Sequence, residues 1–229
     1  MIDMIPRGMF ASSMGIEMVY SFIIIVCSLM IYFGTKELYE LSSYKGIKYF
    51  RQSFLFFAIA YFFRSFIMML LFLFASPMVL DISPRIFGRI TLFLFMYFSA
   101  MAVFYLVYSI MWKEWSRKKW IMYVIQGTAL FIGLVSMQSR EPAFQLLINV
   151  FLLAFAAFGF CRAYRDSKKK KQKHGLYFAY SLLLVFWILN VLSAVIPRFL
   201  QQYHMIIYLA SIFIFLMILY RVLRRVGPE

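Results

Sequence analysis

The sequence predicts an all-α polytopic membrane protein: a bundle of seven transmembrane helices with its N-terminus outside and its C-terminus in the cytoplasm. Three observations predict this fold class: the composition, seven apolar runs of spanning length, and basic residues concentrated in alternate connections. The 229 residues are 64% hydrophobic and only 14% charged. Soluble domains are typically ~45–50% apolar and ~25% charged. A water-soluble core of this size could not hide so much apolar surface, so lipid is the expected solvent.

Seven apolar runs are each close to the ~20 residues that a helix needs to cross a bilayer. They predict a single membrane domain over residues 1–229 with spans at 16–34, 51–75, 87–111, 119–138, 142–161, 175–197 and 203–223. The runs are continuously apolar and too long for barrel strands. The first run is too long for a signal-peptide core, so we expect it to remain as a helix. The first 15 residues are expected to form a loop or a short interfacial helix.

Basic residues set the direction of the chain. The connection Arg162–His174 contains seven Lys and Arg in thirteen residues. With the segments 35–51, 112–119 and 221–225 it places eighteen basic residues on one side of the predicted bundle, against five on the other. Cytoplasmic connections carry such an excess, so this side faces the cytoplasm, and the cell membrane is the expected location. The net charge of +15 then reflects topology and attraction to anionic lipid headgroups, and not binding to nucleic acid.

Polar and small residues distinguish the individual helices. The first helix carries Glu17, Ser21 and Ser28 on one face. The third ends in the segment 112–120, where Trp alternates with Lys and Arg as in headgroup-level anchors. The fifth contains Ala and Gly at 154–159, small residues that allow close helix approach.

Arg64 is the one basic residue predicted deep inside a span, about 16 Å from the outer end of the second helix at 1.5 Å per residue. A charge there costs several kcal/mol unless it is paired or hydrated, which favours a functional role. The alternatives are an arginine that snorkels, or one tied to a carbonyl or carboxylate. Glu17 is the only acid near the outer half of a span, so we predict a Glu17–Arg64 pair.

Further polar residues fall at a similar depth on other helices. Gln145 and Asn149 lie one turn apart on the fifth, Asn190 lies in the sixth, and His204 is at the outer end of the seventh. These four, with Arg64 and Glu17, predict a polar ligand-binding cavity in the outer half of the bundle. The alternative is a set of separate interhelical hydrogen bonds, each worth ~0.6 kcal/mol. By itself, His204 can also be an exposed interfacial histidine.

Catalytic and metal-binding patterns are absent from the sequence. It contains no His-Glu-x-x-His, no Cys/His cluster and no Gly-rich phosphate loop. We therefore predict a protein that is not an enzyme and that has no cofactor or metal. Cys27 and Cys161 lie in apolar runs and imply no disulfide framework.

Seven helices with an external N-terminus resemble the general plan of seven-helix receptors and sensors. The motifs of those families are missing, because residues 203–223 hold neither a lysine for retinal nor an Asn-Pro-x-x-Tyr. We predict a receptor-like or sensory protein that binds a small or amphipathic ligand and signals through cytoplasmic or membrane partner proteins at its basic face. One alternative is a small-solute transporter with a three-plus-one-plus-three helix plan, which an echo between Tyr49–Ser53 and Tyr177–Ser181 suggests. Another is a non-catalytic scaffold or assembly subunit.

Overall fold

The computed structural model describes residues 7–74, 84–118, 120–138, 142–170, 175–195 and 201–226, apart from some side chains near the helix ends. These residues form seven α-helices: α1 (Arg7–Ser42), α2 (Lys45–Phe74), α3 (Pro84–Trp115), α4 (Trp120–Gln138), α5 (Pro142–Lys170), α6 (Gly175–Val195) and α7 (Gln201–Val226).

The helices have the apolar length that a bilayer requires. Five of them, α1, α3, α4, α5 and α7, contain a stretch long and apolar enough to cross a membrane, and α6 contains a shorter one, Ala179–Leu192. The described part of α2 carries Arg51 and Arg64, whose charges lower its hydropathy. The chain is therefore an all-helical protein whose long apolar helices are those of a membrane bundle, which confirms the coarse fold class. The count of seven spans and the orientation in the membrane stay predictions.

The helices extend beyond the predicted apolar runs. The loop or separate short helix expected at the N-terminus is wrong over the described residues, because α1 is one continuous helix from Arg7. Only Ser43 and Tyr44 separate α1 from α2, and Ser43 ends α1 with a left-handed φ of 50° while its N–H donates to the Tyr39 carbonyl at 2.8 Å. Similarly, α5 continues through part of the basic segment to Lys170. Lys, Arg and Glu are good helix formers, so a helix need not end where its apolar run ends.

Six of the helices form a closed ring in the order α1, α2, α3, α5, α6 and α7, with α7 packed against α1. The remaining helix, α4, lies outside this ring on α3, and its contact with α5 is slight. The ring joins two triplets of consecutive helices, α1–α3 and α5–α7, through the α3–α5 and α1–α7 interfaces. If α1, α2 and α3 take the places of α5, α6 and α7 and the reverse, the α3–α5 and α1–α7 interfaces also take each other's places. This is the connectivity of a three-plus-one-plus-three plan.

Aromatic side chains fill the middle of the ring. Phe57, Phe186 and Phe215 form a buried aromatic layer in which the ring centroids of Phe186 and Phe215 are 4.6 Å apart, edge to face. Such pairs add ~0.5–1.5 kcal/mol beyond the burial of their surface. Other large apolar side chains, including Phe22 and Phe131, are exposed on the outside of the bundle. Apolar groups on both the inside and the outside are expected when lipid is the surrounding medium.

Candidate functional site

The predicted pair between Glu17 of α1 and Arg64 of α2 is present. The Arg64 Nη2 and Nε atoms donate to Glu17 Oε1 at 2.6 Å and 3.1 Å. The side chains of Arg64 and Glu17 are only 22% and 18% exposed. Arg64 lies ten residues before the end of α2, which is about 15 Å along the helix axis. A charge at this depth needs a partner, and a carboxylate supplies it here.

Three aromatic rings surround the Arg64 guanidinium. Its central carbon lies 5.8 Å from the ring centroid of Tyr61, 5.9 Å from that of Tyr20 and 6.0 Å from that of Phe95. These distances are at the ~6 Å limit of cation–π attraction, so each ring contributes weakly by that route. The rings also keep water away, which strengthens the attraction between the guanidinium and the carboxylate.

A chain of hydrogen bonds runs from these tyrosines to the sixth helix. Tyr61 Oη donates to Asn190 Oδ1 at 3.2 Å, and Tyr20 Oη lies 3.1 Å from Tyr61 Oη. A hydroxyl carries one proton, so Tyr20 must be the donor to Tyr61. Asn190 Nδ2 in turn donates to the Phe186 carbonyl at 3.0 Å. Glu17, Tyr20, Tyr61, Arg64 and Asn190 are called the tyrosine–arginine network below.

The seventh helix completes the surroundings of this network. The ring of Tyr208 stacks on that of Tyr20, with centroids 4.7 Å apart and planes inclined by 22°. Ser211 of α7 is buried beside Tyr20. Side chains from α1, α2, α6 and α7 therefore meet at one place, and Phe95 of α3 contacts the same guanidinium.

Three of the six predicted site residues, Glu17, Arg64 and Asn190, belong to this network. The described contacts of Gln145 and Asn149 lie within α5 and, through the Asn149 carbonyl, between α5 and α6. Asn149 Nδ2 donates to the Gln145 carbonyl at 2.9 Å within α5, and Trp187 Nε1 donates to the Asn149 carbonyl at 3.4 Å. The side chain of His204 lies outside the described residues. That these residues line one ligand-binding cavity stays a prediction.

Sequence reasoning missed the tyrosines of the network. Tyr20 follows Glu17 by three residues, and Tyr61 precedes Arg64 by three, so each lies on the same helical face as its charged neighbour. That spacing was the available signal. It was obscured because the chain contains 16 Tyr and 28 Phe, which puts an aromatic residue on most faces.

The aromatic layer separates the network from the basic end of the bundle, where α3, α5 and α7 end and α2, α4 and α6 begin. Phe57 and Phe186 lie one helical turn from Tyr61 and Asn190 toward that end. Beyond the layer, the described polar contacts include the following two, which do not touch each other. The hydroxyls of Ser109 and Tyr180 are 2.7 Å apart, and Arg51 Nε donates to the Tyr32 carbonyl at 3.0 Å.

The chemistry that the network offers is recognition of a polar or anionic group by hydrogen bonds. Guanidinium and tyrosine hydroxyl groups donate to oxygen atoms, and the surrounding rings accept apolar groups. Among the residues whose side chains are described, no group of three or more His, Cys, Asp or Glu is placed to hold a metal ion.

Comparison with known proteins finds a relative in an archaeon. The chain is 36% identical over 216 residues to an uncharacterized protein of Archaeoglobus fulgidus, covering 91% of this chain and 92% of the relative. The chain belongs to the same family as this archaeal protein. No family model and no solved structure matches the chain. The match runs over nearly the full length of both proteins and is not confined to one segment.

Proposed function

We propose that this protein is a receptor-like sensor of the cell membrane that binds a small or amphipathic ligand at the tyrosine–arginine network. In this proposal seven helices span the membrane, the N-terminus is outside and the basic end faces the cytoplasm. The observation that carries it is the Glu17–Arg64 pair, which is held deep in the bundle where α1, α2, α6 and α7 meet. The aromatic layer on its basic side supports a site that opens only toward the opposite end.

The chemistry of Arg64 favours a ligand with an oxyanion head, such as a carboxylate, sulfonate or phosphate. A planar guanidinium binds such groups with paired, charge-assisted hydrogen bonds. An incoming oxyanion would therefore compete with Glu17 for the same Nε and Nη2 donors. The rings of Tyr20, Tyr61 and Phe95 would contact the apolar part of the ligand.

Signalling in this proposal uses the pair as a two-state contact. In one state the Glu17–Arg64 ion pair is formed and holds α1 against α2. In the other state the ligand is bound to Arg64, Glu17 is no longer paired, and α1 can shift. A ligand shifts such an equilibrium only by the difference between its affinities for the two states. Because α1 packs against α7 and α7 against α6, the shift would reach the basic end, where a partner protein would read it. The protein would be non-catalytic and would use no cofactor.

The alternative of a small-solute transporter is favoured by one observation, the exchangeable arrangement of the two helix triplets around the ring. Transporters built from repeats bind substrate between the repeats and rock them about the site. Transport would require the aromatic layer to open toward the basic end. The scaffold alternative is less well supported, because Gly159 of the small-residue segment packs against Val107 of α3 in the same chain.

Cysteine accessibility tests the proposal without knowledge of the ligand. In a background with Cys27→Ala and Cys161→Ser, Asn190→Cys is treated with a charged, membrane-impermeant thiol reagent from either side of the membrane. We expect reaction only from the side opposite the basic end. Phe62→Cys is the matched control, because Phe62 neighbours Tyr61 in sequence but is exposed on the outside of the bundle, so it should react from neither side. Reaction of Asn190→Cys from both sides would favour transport, and reaction from neither would favour the scaffold.

A further inference from the structure

A recess lies on the other side of α3 from the tyrosine–arginine network, at the basic end of the bundle. There α3, α4 and α5 enclose a cleft of about 520 Å³. Its wall contains apolar and aromatic side chains from all three helices: Phe104, Trp115, Trp120, Val124, Phe151 and Phe155. The cleft exists because α4 packs against α3 and hardly touches α5.

The cleft is apolar inside and open toward the lipid. Phe104 is buried at its inner wall, where its ring meets that of Phe155 with centroids 5.1 Å apart. Val124 of α4 and Phe151 of α5 are about half exposed and form the two edges. An apolar chain lying in the surrounding bilayer can therefore enter sideways between α4 and α5 without crossing a polar barrier.

The mouth of the cleft is basic. Lys118 is exposed there and lines the cleft directly. Glu114 also lines it, but Arg162 Nη2 donates to Glu114 Oε1 at 2.5 Å and offsets that charge. Trp115 and Trp120 lie at the same level, as indole rings do at the boundary between hydrocarbon and headgroups. The mouth thus presents one positive charge that no described carboxylate neutralises, beside two headgroup-level aromatic rings.

The size of the cleft decides what kind of occupant it can take. The observed volume lies within the ~300–1,000 Å³ typical of sites for small ligands. An apolar interior, a lateral opening and a basic mouth match one molecule with an acyl chain and an anionic head.

We propose that this cleft binds a single anionic phospholipid from the leaflet at the basic end. The phosphate lies at Lys118 and one acyl chain lies between α4 and α5. The many basic residues at this end of the chain raise the local concentration of anionic lipid, and the cleft then holds one molecule by shape as well as by charge. This site does not depend on the tyrosine–arginine network or on the proposed sensory function.

Two of the four native tryptophans report directly on the occupant. A full-length variant with Trp112→Phe and Trp187→Phe retains Trp115 and Trp120 in the cleft. It is reconstituted into vesicles of equimolar phosphatidylcholine and phosphatidylglycerol, in which one lipid or the other carries bromine on its acyl chains to quench fluorescence. We expect brominated phosphatidylglycerol to be preferred by about five-fold, the factor that one basic contact at a bilayer surface contributes. The reciprocal variant, which keeps Trp112 and Trp187, should show a smaller preference.

Matched substitutions distinguish lipid binding in the cleft from a general attraction of anionic lipid to the basic end of the bundle. Lys118→Gln should reduce the preference to that of the reciprocal variant, while Lys48→Gln, which deletes another exposed charge at the same end of the bundle, should leave it unchanged. Val124→Phe should narrow the cleft and reduce quenching by both lipids, whereas Leu130→Phe, at a similarly exposed position of α4 outside the cleft, should not. Equal quenching by both lipids, an equal effect of the two lysine changes, or no quenching at all because protein covers the cleft would each overturn the proposal.

Discussion

Removing the charge of Glu17 should destabilise the protein more than most single substitutions. Glu17→Gln keeps the shape of the side chain but leaves the Arg64 guanidinium, which stays protonated at every accessible pH, without a counter-charge. Loss of one partner of a buried pair costs ~3–5 kcal/mol. Because the Arg64 side chain is 22% exposed and the amide oxygen of Gln can still accept a hydrogen bond, we expect a loss of about 2–3 kcal/mol.

Replacing Arg64 should give a different pH dependence. Arg64→Met preserves the volume and leaves the carboxylate of Glu17 alone, but a carboxylate can take up a proton. Protonating a glutamate of ordinary acidity costs about 3.7 kcal/mol at pH 7 and about 1 kcal/mol at pH 5. The folded variant would bind a proton that the unfolded chain releases, so its stability should rise by up to about 2.7 kcal/mol as the pH falls from 7 to 5. Glu17→Gln has no carboxylate at this position, so its free energy of unfolding should be lowered by the same amount at pH 7 and at pH 5.

Titration with sodium dodecyl sulfate in mixed micelles at the two pH values measures the free energy of unfolding of each variant. The double variant, Glu17→Gln with Arg64→Met, should recover most of the loss because it buries no unpaired charge. Glu40→Gln is the matched control, since the Lys36–Glu40 pair spans 3.8 Å with side chains 61% and 60% exposed and should contribute under ~0.5 kcal/mol. A pH-independent Arg64→Met variant, or a Glu17→Gln loss no larger than that of the control, would refute the reasoning.

Three further predictions concern the network, the helix packing and the topology. Tyr61→Phe removes the hydroxyl between Tyr20 and Asn190 and should cost about 1–2 kcal/mol in the same titration, whereas Tyr123→Phe on the exposed surface should cost nothing measurable. Gly159→Ala places a Cβ atom 2.8 Å from a valine of α3 and should cost about 1–3 kcal/mol, while Gly127→Ala meets nothing within 4 Å and should gain up to about 1 kcal/mol. An epitope tag inserted among Lys168–Lys171 should be labelled only after the cells are permeabilised, and labelling of intact cells would contradict the orientation.

The lipid environment made some features predictable from the sequence and concealed others. Apolar runs were found because a bilayer demands ~20 apolar residues from any helix that crosses it. The Glu17–Arg64 pair was found because few charges lie in the spans, so each has few candidate partners. The helix ends were less predictable, because the backbone hydrogen bonds of α1 and α5 do not depend on whether lipid or water surrounds them.

The position of each helix around the bundle could not be predicted. A helix in lipid is apolar on its outer and inner faces alike, so its sequence does not reveal which side packs against protein. For that reason nothing in the sequence placed α4 outside the ring, or put Asn149 at the α5–α6 interface rather than beside Asn190. Depth along a helix can be counted from the sequence, but rotation about its axis is decided by packing.

The peripheral position of α4 has a consequence for how family members can be recombined. A chimera that takes α1–α3 from this protein and α5–α7 from the Archaeoglobus fulgidus relative would have to match side chains along two seams, α1–α7 and α3–α5, and across the aromatic layer, where Phe57 of α2 meets Phe186 and Phe215. A chain cut within the α3–α4 connection would divide the bundle between two fragments that meet where α4 packs on α3, along those same two seams and across the aromatic layer. Two co-expressed fragments of this kind therefore retain what they need to find each other in the membrane.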